Sequence, residues 1–306
     1  MHSQTFELLI LGSSAATPTA NRNPTAQLLN IAERFFLIDC GEGTQIQLRK
    51  YKARFQSVNH IFISHLHGDH FLGLPGLLAS MHLLGRKNEL TIFGPKELEN
   101  IIHVIHQYSD TQLGYTLHFV STQANTKQLL WEDDKVEVYC FPLKHRITTT
   151  GFLFKEKALP RSIDKYKLEK LDVSFAEIHK LKQGLDAIDN QGNTIKNEEL
   201  TLPPVKERSY AFCSDTKFFE ALAQDIKNTD LLYHESTFLE SKKDRAAQTF
   251  HSTATQAAQM AVLSGTKKLL LGHFSARYDN LDLFLEEATP IFLNTELAKE
   301  GMLFSV

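Results

Sequence analysis

The 306-residue sequence contains little cysteine and no long apolar run. Its three cysteines, Cys40, Cys140 and Cys213, are odd in number and far apart, which fits neither a disulfide framework nor a thiolate zinc site and favours a reducing compartment. No apolar stretch approaches the ~20 residues that cross a bilayer, and the first residues lack the pattern of a secretory signal. We therefore expect a cytoplasmic protein without a membrane partner.

A large excess of charge of one sign is also absent. The net charge of −3 argues mildly against a nucleic-acid partner, because proteins that bind phosphate backbones are usually basic, although a local basic surface would suffice. Hydrophobic residues make up 42% and charged residues 23%, so the chain can bury a sizeable core and global disorder is not expected. What the sequence has in unusual number is histidine, at 14 residues.

Short apolar runs rich in β-branched and aromatic residues alternate with helical patterns along most of the chain. Early strands come in adjacent pairs and later ones alternate with helices, which predicts two mixed sheets that face each other with helices outside. The predicted strands are residues 6–11, 27–31, 34–39, 59–64, 90–93, 136–141, 151–154, 209–213, 230–234 and 267–272. The predicted helices are residues 42–51, 74–84, 97–108, 217–225, 253–264 and 281–289.

Residues 158–205 interrupt this pattern. The segment loses strand periodicity, becomes charged and is bounded by prolines, while residues 166–171 and 175–185 inside it are predicted to form short helices. Composition alone favours a solvated surface insertion, and the alternative is an arm that holds a large substrate. We therefore treat residues 1–306 as a single domain with an insertion at residues 158–205.

The strongest functional signal is the run that contains His65, His67, Asp69 and His70, between a predicted strand and a predicted helix. Alternate residues that leave a strand point the same way, so His65 and His67 can bind one metal ion. Asp69 and His70 then turn onto a neighbouring position. Imidazole and carboxylate groups at this density are the ligands that zinc prefers.

The remaining ligands must come from later strands. His145, Asp215 and His273 each follow a predicted apolar strand. A single histidine after a strand is more often an ordinary surface residue, but three such strand ends after a dense motif favour metal ligation. A carboxylate such as that of Asp215 suits a bridging role, because it can offer one oxygen to each of two ions.

The sequence resembles the metallo-β-lactamase superfamily and, within it, the ribonuclease Z family, over nearly the whole chain. The histidine motif is typical of the superfamily, whereas the runs at 39–45 and 273–277 and the element at His251 point to ribonuclease Z. The motifs are GSSAATP (12–18), DCGEGTQ (39–45), SHLHGDH (64–70), LPGL (74–77), PLKH (142–145), SDT (214–216), HEST (234–237), HST (251–253) and GHFSAR (272–277). The resemblance implies an α+β four-layer αβ/βα sandwich in which residues 158–205 are a protruding, substrate-binding arm.

The resemblance also implies a centre of two zinc ions per chain. One ion is assigned to His65, His67 and His145, the other to Asp69, His70 and His273, and Asp215 bridges the two.

The resemblance implies further roles around these ligands. Asp39 would orient a ligand from outside, and Asp69 would orient the attacking water or accept its proton. His251 would act as an acid near the leaving oxygen, and Glu235 would fix the ring of His251. The remaining histidines, including His234, are expected to be structural.

Members of this family are endoribonucleases that remove the 3′ trailer from tRNA precursors, leaving a 3′-hydroxyl on the tRNA and a 5′-phosphate on the trailer. In this chain, Ser275 and Arg277 are suitable phosphate contacts, and Lys180 and Lys182 would contribute cations from the arm. The family also suggests a homodimer.

Three alternatives stay open at this point. A phosphodiesterase or sulfatase of the same fold that acts on small substrates should lack the arm, and a thioester or β-lactam hydrolase need not carry the elements at His251 and residues 273–277. A catalytically inactive, metal-stabilised RNA-binding protein could lose ligands freely. The arm itself departs from the family pattern, because it has no Gly-Pro pair and its acidic residues nearly match its basic ones.

Overall fold

The computed structural model describes residues 4–123, 125–169, 173–203 and 206–306. Contacts divide the chain into two compact units, a larger one of residues 4–155 and 208–306 and a smaller one of residues 156–207. In the part of the chain that is described, no helix has the length and apolar character needed to span a membrane.

The strands are β1 (Phe6–Gly12), β2 (Ser14–Ala15), β3 (Ala26–Ile31), β4 (Arg34–Cys40), β5 (Val58–Phe62), β6 (Leu90–Gly94), β7 (Leu117–Ser121), β8 (Gln128–Glu132), β9 (Val136–Pro142), β10 (Thr150–Glu156), β11 (Ser162–Ile163), β12 (Ala187–Ile188), β13 (Thr194–Ile195), β14 (Thr201–Leu202), β15 (Ser209–Cys213), β16 (Leu231–Glu235), β17 (Lys268–Gly272), β18 (Phe274–Ser275), β19 (Thr295–Leu297) and β20 (Leu303–Ser305). The helices are α1 (Thr44–Lys50), α2 (Gly68–Phe71), α3 (Leu74–Leu83), α4 (Glu97–Tyr108), α5 (Lys165–Leu168), α6 (Phe175–Lys182), α7 (Asn197–Leu200), α8 (Leu222–Asp225), α9 (Lys243–Thr249), α10 (Ala254–Ser264) and α11 (Asp282–Ala288).

Two mixed sheets make up the larger unit. The first has the strand order β20-β1-β3-β4-β5-β6-β7, and the second has the order β19-β17-β16-β15-β10-β9-β8. In each sheet a run of parallel strands, β4-β5-β6-β7 and β15-β16-β17-β19, brings successive carboxyl ends to the same edge. Residues that directly follow these strands are therefore close together although they are far apart in sequence.

The core lies between the two sheets and is rich in phenylalanine. Phe36 and Phe62 of the first sheet face Phe152 and Phe154 of the second, with ring centroids 5.4 Å apart for Phe36 and Phe154 and 5.3 Å apart for Phe62 and Phe152. All four rings are buried, and each buries enough apolar area to contribute a few kcal/mol. Alternating apolar residues on the inner strand faces thus hold the two sheets together.

Helices cover the outer faces of both sheets. Apolar residues of α1, α3 and α4 pack on the first sheet, and those of α8, α10 and α11 pack on the second. This order of helix, sheet, sheet and helix layers confirms the αβ/βα sandwich that the sequence predicted.

Helix α10 shows how local sequence fixes these boundaries. The Thr253 hydroxyl accepts from the Gln256 backbone N–H at 3.2 Å, while the Gln256 side chain accepts from the Thr253 N–H at 3.0 Å. This reciprocal capping satisfies two N–H groups that a helix start leaves unpaired. The helix ends at Gly265, whose φ of 66° is left-handed.

The smaller unit has its own apolar cluster and secondary structure. Leu181, Ala187, Ile195 and Leu200 are buried together, and two-stranded pairs β11-β14 and β12-β13 lie beside α5, α6 and α7. The sequence showed no strand periodicity here because each of these strands is two residues long. The predicted helix at residues 166–171 is observed as α5, and the end of that prediction, residues 170 and 171, lies outside the described residues.

Two kinds of sequence prediction were wrong. The predicted helix at residues 217–225 is helical only as α8, because the Lys217 N–H donates to the Lys144 carbonyl at 2.9 Å instead of starting a helix. Among the strands of the two large sheets, four were missed, β7, β8, β19 and β20, and all four are edge strands. Strands β7 and β8 bury little of each side chain, so their apolar alternation is weak, and β19 and β20 are only three residues long.

Gly73, between α2 and α3, generates the first prediction. A Cβ atom there would lie 2.0 Å from the Gly41 carbonyl oxygen, which is backbone and cannot move aside easily, whereas a Cβ at Gly76 would meet only the Gln45 side-chain amide at 3.1 Å. We expect Gly73→Ala to lower the free energy of unfolding by about 1–3 kcal/mol. Gly76→Ala should be neutral or stabilising, because alanine favours a helix interior by up to ~1 kcal/mol. Urea unfolding of both variants measures this, and equal stabilities would contradict the close approach.

Candidate metal centre

The histidine motif lies in the short link between β5 and α3. His65 and His70 are buried, and His67 and Asp69 lie at the surface of a cavity. His145 follows β9, Asp215 follows β15 and His273 follows β17, and all three side chains reach this link. The seven residues predicted as metal ligands are therefore brought together.

Four of these side chains form a first cluster. His67 Nδ1 lies 3.1 Å from His65 Nε2 and 3.2 Å from His145 Nε2, and Asp215 Oδ2 lies 3.5 Å and 3.6 Å from the same two Nε2 atoms. Ligand atoms around a tetrahedral zinc ion with bonds of about 2.0–2.2 Å would be separated by roughly 3.3–3.6 Å. The spacing and chemistry of this donor set fit a zinc ion.

A second cluster shares Asp215. Asp69 Oδ2 lies 3.4 Å from His70 Nε2 and 3.3 Å from His273 Nε2. Asp215 Oδ1 lies 3.4 Å and 3.2 Å from these two nitrogens. The two oxygens of Asp215 thus face different clusters, which is the arrangement that a bridging carboxylate needs.

Two atoms of the second cluster have no hydrogen-bond partner within the described residues. His70 Nε2 and Asp215 Oδ1 are both buried and unsatisfied. A buried polar atom without a partner is costly and rare in native proteins. A cation between the two atoms would remove this cost, so the observation supports a second metal position.

The outer nitrogen of each buried ring is held by a neighbour. His145 Nδ1 donates to the Phe250 carbonyl at 2.9 Å and His70 Nδ1 donates to Asp39 Oδ2 at 2.7 Å. Such contacts from outside fix the tautomer and leave the inner nitrogen with a lone pair for a metal ion. Asp39 therefore has the orienting contact that was predicted for it.

Asp39 reaches His70 through an irregularity in β4. The pairing of β3 with β4 runs from Ala26–Cys40 directly to Gln27–Ile38, so Asp39 is an extra residue, and its φ is 53°. A bulge of this kind redirects one side chain out of the alternating pattern. His273 is also left-handed, with a φ of 58°.

Charge within the clusters is strongly coupled. Burial opposes the charge of Asp69, but the neighbouring rings of His70 and His273 lower the pKa of Asp69 well below its usual range. Burial opposes the charge of Asp215 too, and the surrounding histidines again lower its pKa. Both carboxylates are therefore ionised at neutral pH and available to a cation.

His251 lies beside both clusters and belongs to a separate pair with Glu235. His251 Nδ1 is 2.9 Å from Glu235 Oε1, and the His251 ring centroid is 5.1 Å from that of His145 and 5.6 Å from that of His273. Burial lowers the pKa of His251, but Glu235 and Asp215 outweigh burial and raise it to about 9. Glu235 is buried and accepts further hydrogen bonds from the backbone N–H groups of residues 216, 237 and 252.

The other histidines lie outside this centre. His234 is buried, and its Nδ1 donates to the Glu235 carbonyl at 2.7 Å, as expected for a structural residue. His60 packs on Trp131 with ring centroids 4.5 Å apart, and burial lowers its pKa to about 4. His2, which was also expected to be structural, lies outside the described residues.

A cavity of about 640 Å³ opens onto the clusters. Its lining includes Asp69, His251, His273, Ser275 and Arg277, all of which the sequence singled out. The Arg277 Nε donates to the Ser275 hydroxyl at 3.0 Å, and its guanidinium lies 5.1 Å from the centroid of the Phe238 ring.

Sequence reasoning missed several polar residues of the cavity, Arg146, Arg245, Gln248 and Thr249. Arg146 follows the predicted ligand His145 directly, which was the one available signal, and its Nη2 lies 3.1 Å from His67 Nε2. Arg245 and Gln248 lie on α9, which carried no motif. The predicted substrate contacts Lys180 and Lys182 lie on α6 of the smaller unit, where Lys180 pairs with Glu177 at 2.6 Å.

The chain is similar to known proteins along nearly its whole length. It is 43% identical over 301 residues to ribonuclease Z of Parabacteroides distasonis, covering 98% of this chain and 99% of that protein. It is 50% identical over 302 residues to ribonuclease Z of Cytophaga hutchinsonii, covering 98% and 96%. A family model described as anti-Pycsar protein Apyc1 matches residues 6–177.

Solved structures give the same fold. The human short-form tRNase Z superposes with a TM-score of 0.71 at 27% identity, covering 98% of this chain and 99% of that one. The metallo-β-lactamase fold protein YhfI of Bacillus subtilis superposes with a TM-score of 0.69 at 16% identity, covering 99% and 100%. At that identity the second likeness concerns the fold alone.

The pair of His251 and Glu235 generates the second prediction. In metal-free protein, NMR titration should find the pKa of His251 raised from 6.5 to about 9, so the ring stays charged at neutral pH and loses its proton only as the pH rises through that value. Glu235→Gln removes the negative charge and should bring the pKa of His251 down towards its ordinary value near 6.5. His60, which lies in the core between the sheets, is the internal control and should titrate identically in both proteins. A wild-type pKa of His251 below 6.5 would contradict the pairing.

Proposed function

The chain belongs to the ribonuclease Z family and, over residues 6–177, to the family described as anti-Pycsar protein Apyc1, and from this we propose that it is a metal-dependent endoribonuclease that removes the 3′ trailer from tRNA precursors. The observation that carries this proposal is identity of 43–50% to ribonucleases Z over 98% of the chain, together with both histidine–aspartate clusters and His251 in one cavity. The match to the second family ends at residue 177, before Asp215, His251 and His273.

We propose two zinc ions per chain as the cofactor. The support is the donor set itself, since seven imidazole and carboxylate side chains divide into two clusters with one shared carboxylate. His65, His67 and His145 would hold one ion, Asp69, His70 and His273 the other, and Asp215 would contact both. When bound, a pair of ions at such a site activates water and neutralises charge on phosphate oxygens.

Two residues of the cavity have different roles in the reaction, Asp69 at the attacking water and His251 at the departing oxygen. Asp69 would orient the attacking water or accept its proton, and its Oδ2 is anchored by the Ala16 N–H at 2.7 Å. The charged ring of His251 would donate a proton to the departing oxygen. Because Glu235 holds Nδ1, Nε2 is the nitrogen that is available for this transfer. The products are a tRNA with a 3′-hydroxyl and a trailer with a 5′-phosphate.

Cationic and hydroxyl side chains of the cavity are suited to the phosphates on either side of the scissile bond. Ser275 and Arg277 are the contacts predicted from the sequence, and Arg146 and Arg245 line the same cavity. Guanidinium groups bind phosphate oxygens through charge-assisted hydrogen bonds. If His67 offers Nδ1 to an ion, its hydrogen is on Nε2, the nitrogen beside Arg146 Nη2. Two hydrogen-bond donors would then face each other, so the Arg146 side chain would turn from the ring towards the substrate.

The homodimer that the resemblance implies and the cytoplasmic location expected from the sequence composition stay predictions. We propose exposed apolar residues as candidate dimer contacts, because Ile46 on α1 and Leu83 on α3 are largely exposed and α1 and α3 pack against each other.

The third prediction tests the reaction. With an end-labelled tRNA precursor, the wild-type protein should cut once, directly after the discriminator base. His251→Ala should lower turnover by ~10²-fold or more, the range expected for a lost general acid, while zinc content stays at two ions per chain. His65→Ala should lose metal and activity together. The measurements are product mapping, single-turnover rates and elemental analysis of each protein.

Separate outcomes contradict separate parts of this proposal. Cleavage inside the tRNA body, or no cleavage by protein that has two ions bound, would contradict the assignment of tRNA precursor as the substrate. Full activity at a ratio of one ion per chain would contradict the two-ion centre. Full turnover by His251→Ala would return His251 to the structural histidines.

We propose that residues 158–205 are an arm that binds the tRNA body. Its cations are largely matched by its own acids, since Lys180 pairs with Glu177 and Lys196 pairs with Asp186 at 2.8 Å. Two aromatic residues are nevertheless highly exposed, Tyr166 at 84% and Phe175 at 92%. Exposed aromatic rings offer stacking surfaces to unpaired bases, which supports contact with RNA despite the balanced charge.

The fourth prediction concerns this arm. Replacing residues 158–205 with a short Gly/Ser linker should leave two zinc ions bound, because none of the seven proposed ligands lies there and the smaller unit has its own apolar cluster. Hydrolysis of bis(p-nitrophenyl) phosphate should survive, while cleavage of tRNA precursor should fall steeply through weaker binding. For each lysine or arginine removed from a phosphate, the dependence of log affinity on log salt should also become flatter by roughly 0.7–0.9.

The ratio of the two activities decides between the readings of the arm. Equal losses on both substrates would mean that the arm supports the fold. Unchanged cleavage of tRNA precursor would mean that it is a passive insertion. The double variant Tyr166→Ala, Phe175→Ala in the intact chain tests the stacking contribution without removing the segment.

A further inference from the structure

Two buried carboxylates are each connected by hydrogen bonds to two imidazole rings. One ring is bonded directly, and the other through a hydroxyl group. Asp39 Oδ2 accepts from His70 Nδ1 at 2.7 Å and from the Ser64 hydroxyl at 2.9 Å, and the Ser64 oxygen lies 3.0 Å from His65 Nδ1. Asp39 is thus connected to one ring of each cluster.

Glu235 repeats this arrangement on the other side of the centre. Its Oε1 binds His251 Nδ1 at 2.9 Å, and its Oε2 lies 2.8 Å from the Thr237 hydroxyl. The Thr237 oxygen in turn lies 2.9 Å from His273 Nδ1. Glu235 therefore contacts the proposed acid directly and a proposed metal ligand through one hydroxyl.

The number of hydrogens fixes the direction of these bonds. A threonine hydroxyl has one hydrogen to donate, and an ionised carboxylate can only accept. The Thr237 hydrogen therefore goes to Glu235, and the Thr237 oxygen accepts the hydrogen on His273 Nδ1. His273 Nε2 is left with its lone pair, and it lies 3.2 Å from Asp215 Oδ1 and 3.3 Å from Asp69 Oδ2.

We propose that Thr237 is a positioning residue, whose hydroxyl fixes the tautomer of His273 and thereby sets the affinity of the second metal position. The inference rests on the two-ion centre of the proposed function. The same hydroxyl oxygen lies 3.2 Å from His251 Nδ1, a longer contact than the 2.9 Å from that nitrogen to Glu235. Thr237 thus connects the second metal position to the pair that supplies the proton.

The neighbouring Ser236 provides a matched control. Its hydroxyl is also buried, in the same segment after β16, but it donates to the Gly272 carbonyl at 3.1 Å and contacts no imidazole ring in the described residues. Removing it deletes a buried hydrogen bond of similar kind without altering a ligand. A general loss of packing would therefore affect both positions, whereas loss of the tautomer would affect Thr237 alone.

The fifth prediction compares Thr237→Val, Thr237→Ser and Ser236→Ala with the wild-type chain. Zinc affinity is measured for each full-length protein by competition with a chromophoric chelator, and thermal unfolding in excess zinc reports the fold. Thr237→Val should weaken one of the two ions by ~10–100-fold, the range found when an outer partner of a metal-binding histidine is removed, and leave the other unchanged. Thr237→Ser, which keeps the hydroxyl, should restore wild-type affinity, and Ser236→Ala should retain it.

Three results would overturn the inference while leaving the two-ion centre standing. They are wild-type affinity for both ions in Thr237→Val, equal weakening in Thr237→Ser and Thr237→Val, and equal weakening in Ser236→Ala. A wild-type protein that binds a single ion would overturn the two-ion centre and the inference with it. The zinc stoichiometry of the wild-type chain is therefore measured before any variant is compared.

Discussion

Burying the Asp215 carboxylate costs several kcal/mol unless opposite charge surrounds it, and this requirement organises the centre. The two Asp215 oxygens lie between 3.2 and 3.6 Å from imidazole nitrogens of four histidines, His65, His70, His145 and His273. Asp39 and Glu235 are buried close by, and each is compensated by at least one backbone N–H group, a hydroxyl and an imidazole. The three buried carboxylates thus fix the orientation of the imidazole rings around them, and these rings define two positions for cations.

The fold supplies the point where these groups meet. Strands β15, β16 and β17 are parallel and in register, with Cys213 opposite His234 and His234 opposite Leu271. The next residues along each strand are Ser214, Glu235 and Gly272, so Asp215 and His273 leave the sheet at one edge. The first sheet contributes β4 and β5 in the same way. Side chains separated by more than 200 residues in sequence therefore form direct contacts, such as His273 with Asp69.

Much of the centre could be predicted from sequence because it consists of polar residues that follow apolar strands. His65 to His70 form a continuous motif, and His145, Asp215 and His273 are marked by the strands before them. The hydroxyls of Ser64 and Thr237 carry no such mark, because serine and threonine are common at strand ends for many reasons. The Phe250 carbonyl that holds His145 is invisible in a sequence, since every residue has one. Edge strands β7 and β8 were missed because they are largely exposed and lack strong alternation, and β19 and β20 because three residues are too few to show a period.

Backbone conformation was also beyond sequence reasoning, and it explains how the centre reaches its geometry. Asp39, Phe250 and His273 all have left-handed φ values between 53° and 58° without being glycine, and such a conformation costs about 1–3 kcal/mol at each position. Each of the three supplies a group to the centre: the carboxylate that holds His70, the carbonyl that holds His145, and an imidazole of the second cluster. Glycine would relieve the strain at residues 39 and 273 but would remove the side chain that the centre uses. At residue 250 only the carbonyl is used, and there the ring is retained beneath the Lys217 ammonium, 5.3 Å from the ring centroid. At these three positions the strain falls where a strand or helix turns out of its regular path to aim one group at the cavity, and the buried hydrogen bonds around the centre hold it there.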